Sequence, residues 1–225
     1  MTTLEQKLHF DQIIERVEKA RLHVNNHHIV KIVAASKYVD AEAIKSLYEI
    51  GQRAFGENKV QDLVSKSEAL DELPIEWHFI GTLQKNKINH LLNIRPHLIH
   101  SIDSFELAHA LNERLERENQ TLRALVQVNS AYEESKSGFT PEEFSEQYAR
   151  ISEECPRLQL QGIMSIGAHV DDPKIVTKSF EITRSIFESL PNATLCSMGM
   201  SSDFELAIEC GSNMIRLGSV LFPKG

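Results

Sequence analysis

Cysteine is scarce in this chain of 225 residues, and its few copies show no pairing pattern. The three cysteines, Cys155, Cys196 and Cys210, are odd in number, far apart in sequence and outside any CxxC spacing. Secreted domains use paired cysteines as disulfides, and cysteine-ligated metal sites use short spacings. We therefore expect reduced thiols, which favours a cytoplasmic protein.

Long hydrophobic runs are also missing. No segment approaches the roughly 20 apolar residues that a membrane-spanning helix needs. The first ten residues contain Glu5 and Lys7 and lack the apolar stretch of a secretory signal. The sequence therefore predicts a protein that does not interact with a membrane.

Positive charge is in deficit, because the 24 Lys and Arg residues are outnumbered by 32 Asp and Glu residues, for a net charge of −8. This balance argues against nucleic acid as a main partner. A small anionic ligand stays compatible with it, since such a ligand needs only a local cluster of donors. The sequence does not reveal an oligomeric state, and we take a monomer as the expectation.

What the chain does contain is a regular alternation of strand-like and helix-like segments. Short apolar runs predict strands at residues 29–35, 54–55, 77–80, 98–102, 122–128, 158–165, 194–197 and 214–217. Amphipathic spacing predicts helices at residues 3–25, 40–50, 57–70, 84–92, 104–118, 141–153, 173–189 and 203–210. Eight strands that alternate with helices predict an α/β fold, a closed (β/α)8 barrel of the TIM type. An open doubly wound sheet is the alternative, but the chain has neither a GxGxxG turn nor a Walker A motif.

Residues at the expected boundaries agree with this pattern. Gly51 follows a predicted helix end, Asp103 and Thr140 are placed as N-caps, and Pro141 occupies a first helical position. No helix is expected after the eighth strand, so we expect the first helix to take that place beside strand one. The prediction is a single barrel domain over residues 1–225, with an N-terminal helix at residues 1–28 packed on the barrel.

Lys37 directly follows the first predicted strand, in the run Ala35-Ser36-Lys37. In a barrel, the residues that follow the strands form the functional face. A lysine there either reaches water or lies in a partly dry site, where its amine is more easily neutral and can attack a carbonyl to form a Schiff base. Taken alone, Lys37 is more simply explained by a side chain that reaches water. The residues at the other strand ends favour a partly dry site.

The loops after the last two predicted strands have the composition of an anion site. Gly199 permits a tight turn, and the serine pair at 201–202 is expected to begin a helix with free N–H groups. Gly218 and Ser219 add backbone donors and a hydroxyl where barrels commonly bind phosphate. Asp203 argues mildly against a phosphate, because it can cap that helix itself.

A lysine that attacks carbonyls, together with a phosphate site, suggests pyridoxal 5′-phosphate (PLP). Its aldehyde would join Lys37 and its phosphate would anchor the ring. Arg216, in the last predicted strand, could reach the pyridine nitrogen. A guanidinium only donates hydrogen bonds, so it would keep that nitrogen unprotonated and make the ring a weak electron sink. This disfavours demanding carbanion chemistry such as decarboxylation.

A series of short motifs then matches a known family. They are ASK at residues 35–37, GQRAFGEN at 51–58, WHFIG at 77–81, SKSG at 135–138, SMGMS at 197–201 and RLGS at 216–219. In their joint order, the sequence resembles the pyridoxal phosphate homeostasis protein family. These proteins are PLP-binding barrels (PLP fold type III) related to the N-terminal domain of alanine racemase. The resemblance covers about residues 32–222.

The resemblance implies a protein that carries or buffers PLP in the cell without efficient catalysis, with PLP-dependent apoenzymes as candidate partners. Tyr38-Val39-Asp40 stands where the family usually has a Thr-Lys-Pro-like run. The implied cofactor residues are Lys37, which forms the aldimine, Asn58 near the ring, Met200 on the pocket wall, Arg216 at the pyridine nitrogen, and Ser201, Gly218 and Ser219 at the phosphate.

A PLP-dependent amino-acid racemase is the main alternative. Racemisation needs acid/base groups on both faces of the substrate α-carbon. Lys37 can serve one face, but the related racemases take the other group from a tyrosine on a second domain, which this sequence does not include. The tyrosines of this chain are Tyr38, Tyr48, Tyr132 and Tyr148.

Two other enzyme classes are weaker alternatives. A lysine-dependent aldolase on the same fold would form its Schiff base without PLP. A metal enzyme is suggested by the ten histidines. Neither the adjacent pair at 27–28 nor His97 with His100 has a carboxylate or cysteine at ligand spacing, so we expect no metal site. The alternation does not fix whether His78, in the third predicted strand, points inward or outward.

Three lysines lie on the loops after the third and fifth predicted strands. Lys85, Lys87 and Lys136 are interpreted as a solvated rim. A docking surface for PLP-dependent apoenzymes is the alternative interpretation.

Overall fold

Eight short strands pair in parallel, in chain order, and close into a barrel. The computed structural model describes residues 3–222. Closure comes from β1 and β8, which pair from Lys31 opposite Met214 to Ala34 opposite Leu217. The strands are β1 (Lys31–Ala35), β2 (Ala54–Glu57), β3 (Glu76–Phe79), β4 (Leu98–Ile102), β5 (Leu122–Val128), β6 (Leu158–Ser165), β7 (Leu195–Ser197) and β8 (Met214–Leu217).

Helices surround the barrel, and a 3-10 turn (Lys85–Lys87) precedes the fourth of them. The helices are α1 (Thr3–Val24), α2 (Ala41–Glu49), α3 (Val60–Ala69), α4 (Ile88–Ile94), α5 (Phe105–Arg117), α6 (Pro141–Glu154), α7 (Pro173–Ser189) and α8 (Phe204–Glu209). Between residues 3 and 222, no helix combines the length and the apolar character that a bilayer crossing requires.

Strand alternation divides the core into two layers, because successive side chains of a strand point to opposite faces. A large cluster between strands and helices contains buried residues such as Ala34, Phe55 and Ile215. A small cluster inside the barrel contains residues adjacent to these in sequence, among them Val33 and Ala54. The barrel is therefore filled by side chains and is a packed core.

Helix α1 takes the place of an eighth crossover helix, as predicted. The Arg16 guanidinium lies 2.8 Å from the Glu205 carboxylate on α8. On its other side, the Ser46 hydroxyl of α2 donates to Gln6. The helix ends at Val24, and residues 25–28, predicted as part of the N-terminal helical unit, lie outside it.

The predicted boundaries are correct for four strands, β4, β5, β6 and β8, and for α7. Strand β1 begins two residues later than predicted, because Ile29 is 81% exposed and does not pack. Strand β2 continues to Glu57, so α3 begins at Val60 instead of residue 57. The helix predicted over residues 84–92 is a 3-10 turn followed by α4.

Three of the four predicted boundary residues are confirmed, among them Pro141, the first residue of α6. Gly51 has φ 122° and follows Ile50, the C-cap of α2. Thr140 is the N-cap of α6, and its N–H donates to the Glu143 carboxylate at 2.8 Å. The prediction for Asp103 is wrong. Ser104 is the N-cap of α5, and its Oγ accepts from the Leu107 N–H at 3.4 Å.

Candidate functional site

A sharp turn follows β7 at the carboxyl end of the barrel. Gly199 has φ 96°, and a Cβ there would lie 2.6 Å from the Cβ of Ala207, so only glycine fits. The chain then turns through residues 201–203, and α8 begins at Phe204. The prediction that the serine pair begins a helix is therefore wrong. Asp203 occupies the N-cap position, but its Oδ1 accepts from the Met200 N–H at 2.6 Å and does not cap α8.

The Ser201 hydroxyl connects the loops that follow β7 and β8. Its Oγ accepts from the Gly218 N–H at 3.0 Å and from the Val220 N–H at 3.3 Å. Ser219, between these two donors, is exposed. The structure thus brings together Ser201 and Gly218, which the sequence indicated separately, and adds Val220, a donor that side-chain chemistry does not reveal.

Arg216 extends from β8 into the barrel, where it is buried. Its Nη1 donates to the Ser197 carbonyl at 3.0 Å and to Ser197 Oγ at 2.7 Å, and its Nη2 donates to the Ser165 carbonyl at 2.8 Å. Burial lowers the pKa of Arg216 to about 10, while the nearby Asp203 acts in the opposite direction. The guanidinium therefore remains charged at neutral pH and is held in place by fixed acceptors.

Lys37 and Asn58 follow neighbouring strands, and each comes two residues after the paired Ala35 and Gly56. The expectation of a partly dry lysine is wrong, because the Lys37 side chain is exposed. Its Nζ lies 5.0 Å from the centroid of the Tyr38 ring, a cation–π distance.

Asn58 is half-buried, and the loop after β3 presses closely against its backbone. A Cβ on Gly81 would lie 2.0 Å from the Asn58 carbonyl oxygen, so a glycine is required at position 81. This close approach fixes the end of β2 beside the loop that follows β3.

A buried ion pair anchors the residue that precedes Lys37. Ser36 Oγ donates to Glu57 Oε1 at 2.6 Å, and Lys66 Nζ donates to the same oxygen at 2.7 Å and to the Ser36 carbonyl at 2.8 Å. Ser36 and Glu57 are fully buried, and the Lys66 side chain is only 13% exposed. Sequence reasoning missed this cluster, although a glutamate at the end of the apolar run Ala54–Glu57 was a usable signal.

Two histidines continue the polar contacts of Arg216 through the barrel interior. His78 Nδ1 lies 2.8 Å from His100 Nε2, and His100 Nδ1 lies 3.2 Å from Ser197 Oγ. Both rings are fully buried, so His78 points inward. Burial lowers the pKa of His78 to about 4 and that of His100 well below its ordinary value. Both imidazoles are therefore neutral at pH 7 beside the charged Arg216.

The lysines predicted to form a solvated rim differ from one another. Lys85 is exposed and Lys87 is half-buried. Lys136 Nζ donates to Glu133 Oε1 at 2.7 Å and to the Gly167 carbonyl at 2.7 Å, with its side chain only 14% exposed. The rim interpretation is wrong for Lys136, which instead joins the loops after β5 and β6.

Comparisons with known proteins identify the family. The sequence matches the family "Alanine racemase, N-terminal domain" over residues 8–223. The pyridoxal phosphate homeostasis protein of Helicobacter pylori (strain J99) is 55% identical over 221 residues, which cover 98% of this chain and 100% of the relative. The chain belongs to the pyridoxal phosphate homeostasis protein family.

Solved structures agree with this assignment. PipY of Synechococcus elongatus, solved with PLP bound, is 30% identical to this pyridoxal phosphate homeostasis family member, with a TM-score of 0.80 and coverage of 92% of this chain and 98% of PipY. Alanine racemase from Clostridium difficile has a TM-score of 0.74 at 14% identity, and the match covers 94% of this chain but 55% of the racemase. The second likeness shows the shared barrel fold alone.

We expect the buried ion pair to stabilise the candidate site strongly. Glu57→Gln or Lys66→Met should each lower the free energy of unfolding by about 3 kcal/mol, because each leaves a buried charge without its partner. The double variant removes both charges, so its free energy of unfolding should fall by less than the sum of the two single changes. Urea denaturation of the four proteins at pH 7 measures this cycle.

Glu154→Gln is the matched control, because Arg150 and Glu154 form an ion pair 2.9 Å long with about half of each side chain exposed. This control should lower the free energy of unfolding by less than about 1 kcal/mol. A cost for Glu57→Gln as small as that of the control would contradict an anchoring role for the buried pair.

Proposed function

We propose that this protein binds PLP at the carboxyl ends of its strands and works in the cytoplasm as a monomeric carrier or buffer of the cofactor. Residues 1–225 would act as one barrel domain. The observation that carries the proposal is the convergence of Ser201 with the N–H groups of Gly218 and Val220, beside the strand end that leads to Lys37. Membership of the family, and the relative PipY solved with PLP bound, support it.

The donor set suits a phosphate group. The N–H groups of Gly218 and Val220 point at one oxygen, the hydroxyl of Ser201. A phosphate oxygen can accept from the same N–H groups while the serine hydroxyl turns to donate, and the exposed Ser219 adds a second hydroxyl. Asp203 does not compete for these donors, because its carboxylate is bonded to the Met200 N–H.

Arg216 suits the pyridine nitrogen because it offers a fixed positive charge and only donor groups. A nitrogen that accepts from a guanidinium stays unprotonated, and an unprotonated ring is a weak electron sink. Met200 and Asn58, both half-buried at the same end of the barrel, would line the ring. These properties favour holding the cofactor over catalysis with it.

Lys37 would hold PLP covalently, as a Schiff base between Nζ and the cofactor's aldehyde, with loss of one water molecule. The buried cluster beneath Ser36 fixes the backbone that presents this lysine. Its side chain is exposed, so the bond is open to water and to competing amines. A reversible, accessible bond is what a carrier of PLP needs, and PLP-dependent apoenzymes are the proposed recipients.

Racemase activity needs a second acid/base group, and the contacts of the four tyrosines do not provide one. Tyr38 lies on the same loop as Lys37, with its ring beside the ammonium. Tyr132 donates to Glu142 at 2.5 Å, and burial raises the pKa of Tyr148 to about 12. Tyr48 is covered by the Arg53 guanidinium, 4.1 Å from its ring centroid. None of these contacts sets a tyrosine on the opposite face of a substrate held at Lys37.

Lys37→Ala should abolish the covalent bond, while Lys59→Ala, which removes an exposed lysine just beyond Asn58, should leave it intact. Absorption spectra are recorded with added PLP, before and after borohydride reduction, and the reduced protein is mapped by peptide mass spectrometry. We expect the label on Lys37 in the wild type and in Lys59→Ala. A colourless wild type that takes up no PLP would move the lysine-dependent aldolase to the front.

Ser201→Ala should weaken PLP binding about tenfold, the equivalent of one lost hydrogen bond to a charged group. Ser202→Ala is the control: it changes the exposed neighbouring residue and should leave the affinity for PLP unchanged. Titration with pyridoxal, which lacks the phosphate, should give equal affinities for both variants. Equal losses for PLP and pyridoxal would show that Ser201 does not act through the phosphate.

The carrier and racemase hypotheses make opposite predictions for the loaded protein. With L-alanine, chiral chromatography should show no more D-alanine than free PLP produces under the same conditions. Incubated with a PLP-free apoenzyme, the loaded protein should restore that enzyme's activity. Sustained racemisation that depends on Lys37 would instead establish the enzyme.

A further inference from the structure

A second group of polar side chains lies at the amino end of the barrel, away from Lys37. Glu76 is the first residue of β3, His78 follows it by two positions, and His97 directly precedes β4. His78 Nε2 lies 3.9 Å and His97 Nε2 lies 3.7 Å from Glu76 Oε2. The three ligand atoms lie within 4.8 Å of one another. Two imidazoles and one carboxylate thus converge on one point.

His78 carries an independent sign of a ligand. Its ring is fully buried, and within the part of the chain that the structure describes its Nε2 has no hydrogen-bond partner. Buried polar atoms without a partner are rare and call for an explanation. The unpaired nitrogen faces Glu76 and His97, at a distance from the carboxylate too long for a hydrogen bond.

We propose that Glu76, His78 and His97 form a binding site for a single Zn²⁺ ion. Two histidines and one glutamate, with a fourth position for water, are an established ligand set for zinc. Nitrogen ligands select such a borderline ion over Mg²⁺ or Ca²⁺. The side chains of Glu76 and His97 are each 36% exposed, so the ion and the water have a path from solvent.

The hydrogen bond of the other ring nitrogen of His78, Nδ1, fits the role of a zinc ligand. Metal-binding histidines commonly donate their other ring N–H to a neighbouring acceptor, which fixes the ring orientation. Here the His78 Nδ1 lies 2.8 Å from His100 Nε2. Zinc on Nε2 places the proton on Nδ1, so His78 donates to His100, and His100 in turn donates from Nδ1 to Ser197 Oγ. That hydroxyl also accepts from Arg216. The ion therefore sets the direction of the hydrogen-bond chain that ends at Arg216.

Lys31 competes with the ion. Its ammonium donates to Glu76 Oε2, the oxygen that faces both histidines. Zinc must displace it, and the Lys31 side chain, 37% exposed, has room to move into solvent. Lys31 thus lowers the affinity of the site, and its removal should have the opposite effect to the removal of a ligand.

The test is Zn²⁺ binding by the untagged, full chain after PLP loading and removal of free PLP, measured by competition with a chromophoric chelator. The wild type should bind one ion. His97→Ala should weaken binding at least about tenfold, since even loss of an outer contact costs that much. Lys31→Ala should tighten binding about fivefold. Glu76→Gln, which alters the oxygen ligand, should weaken zinc binding as much as His97→Ala.

His109→Ala is the matched control, because His109 and Glu113 form an exposed pair 4.0 Å apart on α5. It should leave the affinity unchanged. Imidazole NMR signals provide a second readout: Zn²⁺ should shift those of His78 and His97 and leave that of His109. Zinc binding that His97→Ala does not weaken would overturn the proposal, and so would an absence of binding by both the wild type and Lys31→Ala.

Discussion

The pairing of β1 with β8 is the constraint on which the candidate site depends. It joins the two ends of the barrel sheet and sets Arg216 opposite Val33. Two residues further along, Gly218 lies against the carbonyl of Ala35, which a Cβ would approach to 3.3 Å. The exposed Lys37 and the backbone donors after β8, separated by most of the chain, thus share one edge. A shift of this register by one residue would turn Arg216 out of the barrel.

Most of the fold could be predicted because it follows from local patterns. Apolar runs and amphipathic spacing identified all eight strands, and the count of eight indicated closure. Two of the errors concern the starts of helices α5 and α8, where neighbouring residues are both suited to the same position. Asp103 and Ser104 can both cap α5, and only the extended backbone of Ser104, with φ −156° and ψ 153°, decides between them. Likewise, Ser201 turns toward the next loop and leaves the start of α8 to Phe204.

The candidate site was less predictable, because its important contacts join residues on different strands, helices and loops. The lysine and the glycines follow strand ends and are visible in the sequence, whereas the ion pair of Glu57 with Lys66 depends on how α3 packs over β2. The direction of His78 was open because a strand pattern does not say which face is inside until the barrel closes. The role of Lys136 depends on a carbonyl 31 residues away.

Exposure of Lys37 bears on what such a barrel can do with a bound cofactor. Enzymes that stabilise carbanions exclude water from the reacting centre, because water protonates or hydrolyses their intermediates. This lysine is exposed, while the Arg216 charge and the Glu57–Lys66 pair are buried. The proposed PLP site thus combines rigid, buried groups with an exposed amine. In an enzyme that openness would be a defect. If Lys37 holds PLP as proposed, a carrier requires this openness, since hydrolysis or exchange at Nζ would free the cofactor.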